Sequence, residues 1–140
     1  MTHDPGESLG DAPHDKRRAF VFAWAAMLYA AFLASVVLAA DSGRWQWFFE
    51  LVQQVPFGDK VGHLVFLGTL SFLFSAATSR KIVRVGPLAL PKAAVVIIVL
   101  AAIEECSQRF FPSRTFDLFD LTANTLGAFA GGLVALRARA

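Results

Sequence analysis

Residues 104–132 read EECSQRFFPSRTFDLFDLTANTLGAFAGG. They bring Glu104, Glu105, Gln108, Arg109, Arg114, Asp117, Asp120 and Asn124 into a chain whose neighbouring stretches are almost wholly apolar. Upstream, GDKVGH places Asp59, Lys60 and His63 at the head of another apolar run. Two chemistries suit these residue types. Arg114 and Lys60 can hold an anion, the guanidinium through a bidentate fork. Alternatively, His63 can serve as a base oriented by Asp59, with Glu105 as an acid. A carboxylate pair such as Glu105 and Asp120, together with His63, can instead hold a divalent metal. There is no HExxH, no GxSxG and no P-loop, so no diagnostic catalytic motif supports the enzymatic reading. The single cysteine, Cys106, excludes an internal disulfide and a CxxC metal pair. No resident metal or cofactor is expected from motifs alone.

The elements that carry these residues are hydrophobic. Of the 140 residues, 56% are apolar and 17% charged, against about a quarter charged in a typical soluble domain. A net charge of +2 gives no argument for nucleic acid as a partner. Residues 1–18 begin polar and rich in Gly, Pro and Asp, and end in Lys16-Arg17-Arg18. They read as a disordered cytoplasmic tail. Residues 19–140 read as one membrane domain. Ala19 to Ala40 carries no charge and is long enough to cross a bilayer core of about 30 Å. It is also longer than the core of a signal peptide, so an uncleaved helix is expected. Val61 to Ala77, Leu88 to Phe111 and Phe116 to Leu136 supply three further apolar runs. The third reaches spanning length only with Glu104, Glu105 and Gln108 inside or near the membrane.

These runs predict an all-α fold: a four-transmembrane-helix bundle in the lipid bilayer. Between the first and second spans, Arg44 to Phe57 mixes Trp and Phe with polar residues, as a short interfacial helix does. A soluble four-helix bundle would need a polar face on each helix. Ala19 to Ala40 has none.

Lys and Arg set the orientation. Nine of them fall at the N-terminus (Lys16, Arg17, Arg18), in the second loop (Arg80, Lys81, Arg84, Lys92) and at the C-terminus (Arg137, Arg139). Four, Arg44, Lys60, Arg109 and Arg114, fall on the other side. Both termini are therefore expected in the cytoplasm, with the first and third loops outward.

Helical periodicity then gathers the polar residues. At about 100° per residue, Asp117, Asp120, Asn124, Gly127 and Gly131 lie within about 80° of one another. Gly127 and Gly131 have the GxxxG spacing that lets helix backbones approach. Pro112 ends the third helix, and Thr115 is a plausible N-cap for the fourth. Asp59 and His63, at i and i+4, share a face at the same outward end. An intramembrane ionisable residue costs on the order of 3 kcal/mol on insertion scales. An interhelical hydrogen bond returns about 0.6 kcal/mol on average. Polar glue, with Arg114 pairing Asp117 or Asp120, is thus a poor return, and an outward pocket is the better reading.

The ordered set D-K-x-x-H, then E-x-x-Q-x-F-x-P-x-R, then D, D, N and G-x-x-x-G resembles the VanZ-like family of small bacterial membrane proteins. It covers Asp59 to about Leu133, with Phe110 and Pro112 in register. The resemblance implies a multi-pass inner-membrane protein of the cell envelope. The family takes its name from a protein giving resistance to the glycopeptide teicoplanin. It implies a pocket formed by Asp59, Lys60, His63, Glu105, Gln108, Arg114, Asp117, Asp120 and Asn124, with Gly127 and Gly131 in helix packing. The expected occupant is a lipid headgroup, a cell-wall intermediate or a glycopeptide-like ligand. The alternative is an intramembrane enzyme acting on a lipid-linked envelope substrate through His63, Glu105 and Asp120. A transport pathway would require a homo-oligomer, because the polar groups lie at one end only.

Overall fold

A computed structural model describes residues 13–78, 82–112 and 114–138. The chain is mostly helical, at 79%. Helix α1 (Pro13–Asp41) leads to the short α2 (Gln46–Gln53) and then α3 (Gly58–Ala77). Strands β1 (Ile82–Val85) and β2 (Leu88–Pro91) follow, then α4 (Lys92–Ser107), a 3-10 turn over Gln108–Phe110, and α5 (Leu118–Arg137). Residues 1–12 of the expected tail, and Arg80, Lys81 and Arg139, lie outside the described residues. Lys16, Arg17 and Arg18 belong to α1.

Three helices are long and apolar enough to cross a membrane, over Lys16–Asp41, Gly58–Ala77 and Leu118–Arg137. Their burial pattern is the reverse of a soluble protein's. The buried apolar residues are mostly alanines, among them Ala26, Ala94, Ala101, Ala128 and Ala135. Large side chains such as Phe20, Trp24, Leu28, Phe32 and Leu126 are exposed. Contiguous exposed apolar surface on this scale suits lipid and not water. Small residues at helix contacts are how membrane helices pack, since the bilayer supplies no hydrophobic force between them.

The helical fold carries one element the sequence reading did not include: β1 and β2 form an antiparallel hairpin with Ile82 opposite Pro91 and Arg84 opposite Ala89. Gly86 takes φ +60° at the first loop position, which a residue without a Cβ adopts freely and which two-residue hairpin loops require. Pro91 then stands at the N-cap of α4. The apolar run from Leu88 is therefore strand before it is helix. At its other end, Phe111 is extended (φ −113°, ψ 120°), as the residue before Pro112 must be.

Helix α3 makes its widest interface with α5 and also packs against α1 and α4. The α3–α5 contact is backbone against backbone. A Cβ built on Gly127 would overlap the Leu64 carbonyl, and one on Gly131 would overlap the Gly68 carbonyl. Ser71 Oγ donates to the Ala128 carbonyl at 2.6 Å across the same seam. Gly127, Gly131 and Gly68 thus mark the close approach of the two backbones.

Gly131→Val is expected to destabilise by more than the about 1–3 kcal/mol typical of an overpacked core, because the obstructing atoms are backbone and cannot rotate away. Gly62→Ala, with only the Phe66 ring near at 3.9 Å, should leave stability unchanged. Thermal melting of the detergent-purified variants checks both.

Candidate functional site

The α3–α5 seam places the first turns of the two helices side by side. Asp59, Lys60 and His63 come from α3, Asp117 caps α5, and Asp120 and Asn124 lie on its inner face. Lys60 Nζ is the hub, at 2.7 Å from Asp117 Oδ2, 2.7 Å from Asp120 Oδ1 and 3.0 Å from Asp59 Oδ2. Asp120 Oδ1 is buried, and that ammonium is its partner. Three carboxylates around one ammonium leave an excess of two negative formal charges.

Asp117, not Thr115, is the N-cap. Its backbone is extended (φ −128°, ψ 119°), and its side chain accepts from the Phe119 N–H at 2.8 Å. The Lys60 ammonium, and then this backbone N–H, hold the Asp117 carboxyl below the usual carboxylate range.

His63 is tied on one side and open on the other. Its Nδ1 lies 3.1 Å from Asn124 Oδ1, an atom that can only accept, so Nδ1 carries the proton. Nε2 stands 3.6 Å from Asp59 Oδ1 and 3.7 Å from Asp120 Oδ2, beyond hydrogen-bond reach of either.

A second polar group sits beside this one. Arg114 bridges Asp41 Oδ1 and Glu104 Oε1, each at 3.4 Å, and does not pair Asp117 or Asp120. Glu104 also accepts from Gln108 Nε2 at 3.2 and 3.3 Å. Glu105 is fully buried. It accepts from the Asp117 N–H and from Gln108 Nε2, both at 3.2 Å, and so clamps the α4–α5 turn. Arg109 stacks over the Phe116 ring at 4.8 Å.

A cavity of about 1210 Å³ joins both groups. Its polar lining includes Asp59, Lys60, His63, Arg114, Asp120 and Asn124. Its apolar walls come from α1 (Phe32, Val36), α2 (Phe48, Val52) and α4 (Ile97, Leu100). Helices α1 and α4 each pack on α3, and the cleft between them is this space.

A model of the family described as VanZ/LLP1 matches residues 20–139. The chain belongs to the VanZ-like family. No curated protein and no solved structure matches it. With its apolar helices, it is a membrane protein of that family.

Of the expected pocket residues, Asp59, Lys60, His63, Gln108, Arg114, Asp117, Asp120 and Asn124 line the cavity. Glu105 does not; its role is to hold the turn. Two participants were not among the expected pocket residues, Asp41 and Glu104. Asp41 ends the first apolar run on the same side as Arg114, and Glu104 is four residues before Gln108. Those placements were the available signals.

The Asp117 result sets a pH dependence. A carboxyl that titrates lower when folded contributes stability above its unfolded value, near about 4, and loses it as pH falls through the folded value. Asp117→Asn keeps a capping side chain but loses the charge. It should melt below wild type at pH 7 and converge with wild type as pH falls through the folded value of Asp117. Melting curves across that range decide it.

Proposed function

We propose that this VanZ-like protein binds an amphiphile of the bacterial envelope. A lipid headgroup or lipid-linked cell-wall intermediate lies at the polar end of the cavity, and its chain lies along the apolar wall. One observation carries this reading: a single cavity combines apolar walls from three helices with a cationic and acidic end. Arg114 supplies the anion fork, since its planar guanidinium is already braced by Asp41 and Glu104. A glycopeptide-like ligand, and with it a role of the teicoplanin-resistance type, fits the same polar end.

In this reading α4 is the fourth span. Lys92 to Phe110, helix and 3-10 turn together, covers about 28 Å, close to the thickness of a bilayer core. The exposed Trp47, Phe48 and Leu51 make α2 an interfacial helix at the outer leaflet. Both termini lie in the cytoplasm of the inner membrane, and the cavity opens outward.

The alternative, an intramembrane enzyme on a lipid-linked substrate, draws on one observation. His63 Nε2 stands between Asp59 and Asp120 in the cavity. Glu105 would not be its acid, because it does not line that space.

Native mass spectrometry of the purified protein should show one lipid-sized adduct per chain. Arg114→Ala should lower its occupancy at least about tenfold, as loss of a charged hydrogen-bond partner does. Unchanged occupancy defeats the proposal. Orientation is tested in a Cys106→Ala background with a membrane-impermeant thiol reagent. Labelling of intact cells is expected at Thr115→Cys and not at Ala89→Cys, and the reverse pattern would turn the cavity toward the cytoplasm.

A further inference from the structure

The unsatisfied edge of His63 points to a ligand of its own. Nε2 faces two carboxylate oxygens, Asp59 Oδ1 and Asp120 Oδ2, with no hydrogen bond to either. Like-signed atoms turned toward one another repel unless something positive lies between them. Two occupants are open, a proton or a metal ion. A proton on Nε2 would make a charge-assisted hydrogen bond, which draws N and O to about 2.7–2.9 Å. The observed 3.6 and 3.7 Å are too long for that. Around a metal with bonds of about 2.1 Å, donors subtending about 120° stand about 3.6 Å apart. The gap has the size of an ion.

Four further observations agree. Asp120 is only 7% exposed, and its Oδ2 is the carboxylate atom nearer His63 Nε2, at 3.7 Å. One donor atom each from Asp59, His63 and Asp120 lie within 4.8 Å of one another. The far edges of all three groups are also already held. Asn124 holds His63 Nδ1, while Lys60 takes Asp59 Oδ2 and Asp120 Oδ1. A ligating histidine characteristically gives its other N–H to such an acceptor, which fixes the tautomer and aims the lone pair. Lastly, the two surplus negative charges around Lys60 equal the charge of a divalent ion. In a low-dielectric membrane, that neutralisation outweighs any single hydrogen bond.

We propose that Asp59 Oδ1, His63 Nε2 and Asp120 Oδ2 form a binding site for a divalent transition-metal ion that takes mixed nitrogen and oxygen ligands, with Zn²⁺ or Mn²⁺ the fitting class. All three residues line the cavity, so a coordination position stays open toward it. The site differs from the one the sequence offered, since Asp59 replaces Glu105. It does not depend on any amphiphile occupying the cavity.

The test uses the full chain, purified in detergent and stripped with a chelator. Zn²⁺ is titrated by calorimetry, and Co²⁺ is followed by its visible absorption. One ion per chain is expected, with a Co²⁺ spectrum that reports nitrogen coordination. His63→Gln and Asp59→Asn should each weaken Zn²⁺ binding at least about tenfold. Glu104→Gln, elsewhere in the same cavity, should change it less than about twofold. Asp59 has a side chain 37% exposed, so its variant is expected to fold, as gel filtration verifies. Absence of stoichiometric binding by folded wild type overturns the site. So does Zn²⁺ binding that survives both Asp59→Asn and His63→Gln. Bound metal without the lipid adduct would sustain this site while defeating the amphiphile reading.

Discussion

Helices α3 and α5 meet backbone to backbone at their glycines, and most of what the protein presents follows from that contact. With Gly127 against Leu64 and Gly131 against Gly68, the two axes can neither slide nor rotate without backbone collision. A fixed register then carries upward along both helices. Lys60 sits one turn above Leu64 with His63 between them, while Asn124 sits one turn and Asp120 two turns above Gly127. The His63–Asn124 bond and the Lys60–Asp120 pair are what that register produces at the polar end. A seam built from larger side chains would separate the axes by several ångströms and leave each of these groups without its partner.

The polar end obeys a different constraint. Carboxylates in an apolar setting are tolerated only when paired and hydrogen-bonded. Lys60 meets that condition for three of them, and Arg114 for Asp41 and Glu104. Glu105 meets it through Gln108 and a backbone N–H. The turn between α4 and α5 is therefore held mostly by polar contacts. Its apolar residues Phe110 and Phe111 stay exposed. Rigid glycine packing in the membrane and saturated ion pairing at its edge divide the work of holding one site.

Much of this was legible in the sequence, for physical reasons. Uncharged runs of spanning length have few other uses, so the long helices could be read directly. The stripe from Asp117 to Gly131 follows from helix geometry alone, and the same stripe is the face that packs on α3. Partner choice was less legible. Arg114 reaches Asp41, far away in sequence, because the α1 terminus ends beside the α4–α5 turn, which periodicity cannot reveal. The hairpin was hidden for another reason: Leu88 to Pro91 is as apolar as the helix after it, and only Gly86-Pro87 marked the reversal. The cap fell on Asp117 and not Thr115 because Lys60 and the Phe119 N–H both draw that carboxylate to the helix start.

Helix α1 is the least embedded of the three helices long enough to cross a membrane. Only 6% of its most apolar stretch is buried, yet it forms a whole wall of the cavity. In the amphiphile reading proposed above, so loosely held a side adds a lateral way in beside the outward opening. An amphiphile taking that way would arrive by diffusing within its own leaflet without passing through water. For such a site the governing quantity is not molarity but mole fraction: how many of the surrounding lipids carry the right head, and how often one drifts past the gap.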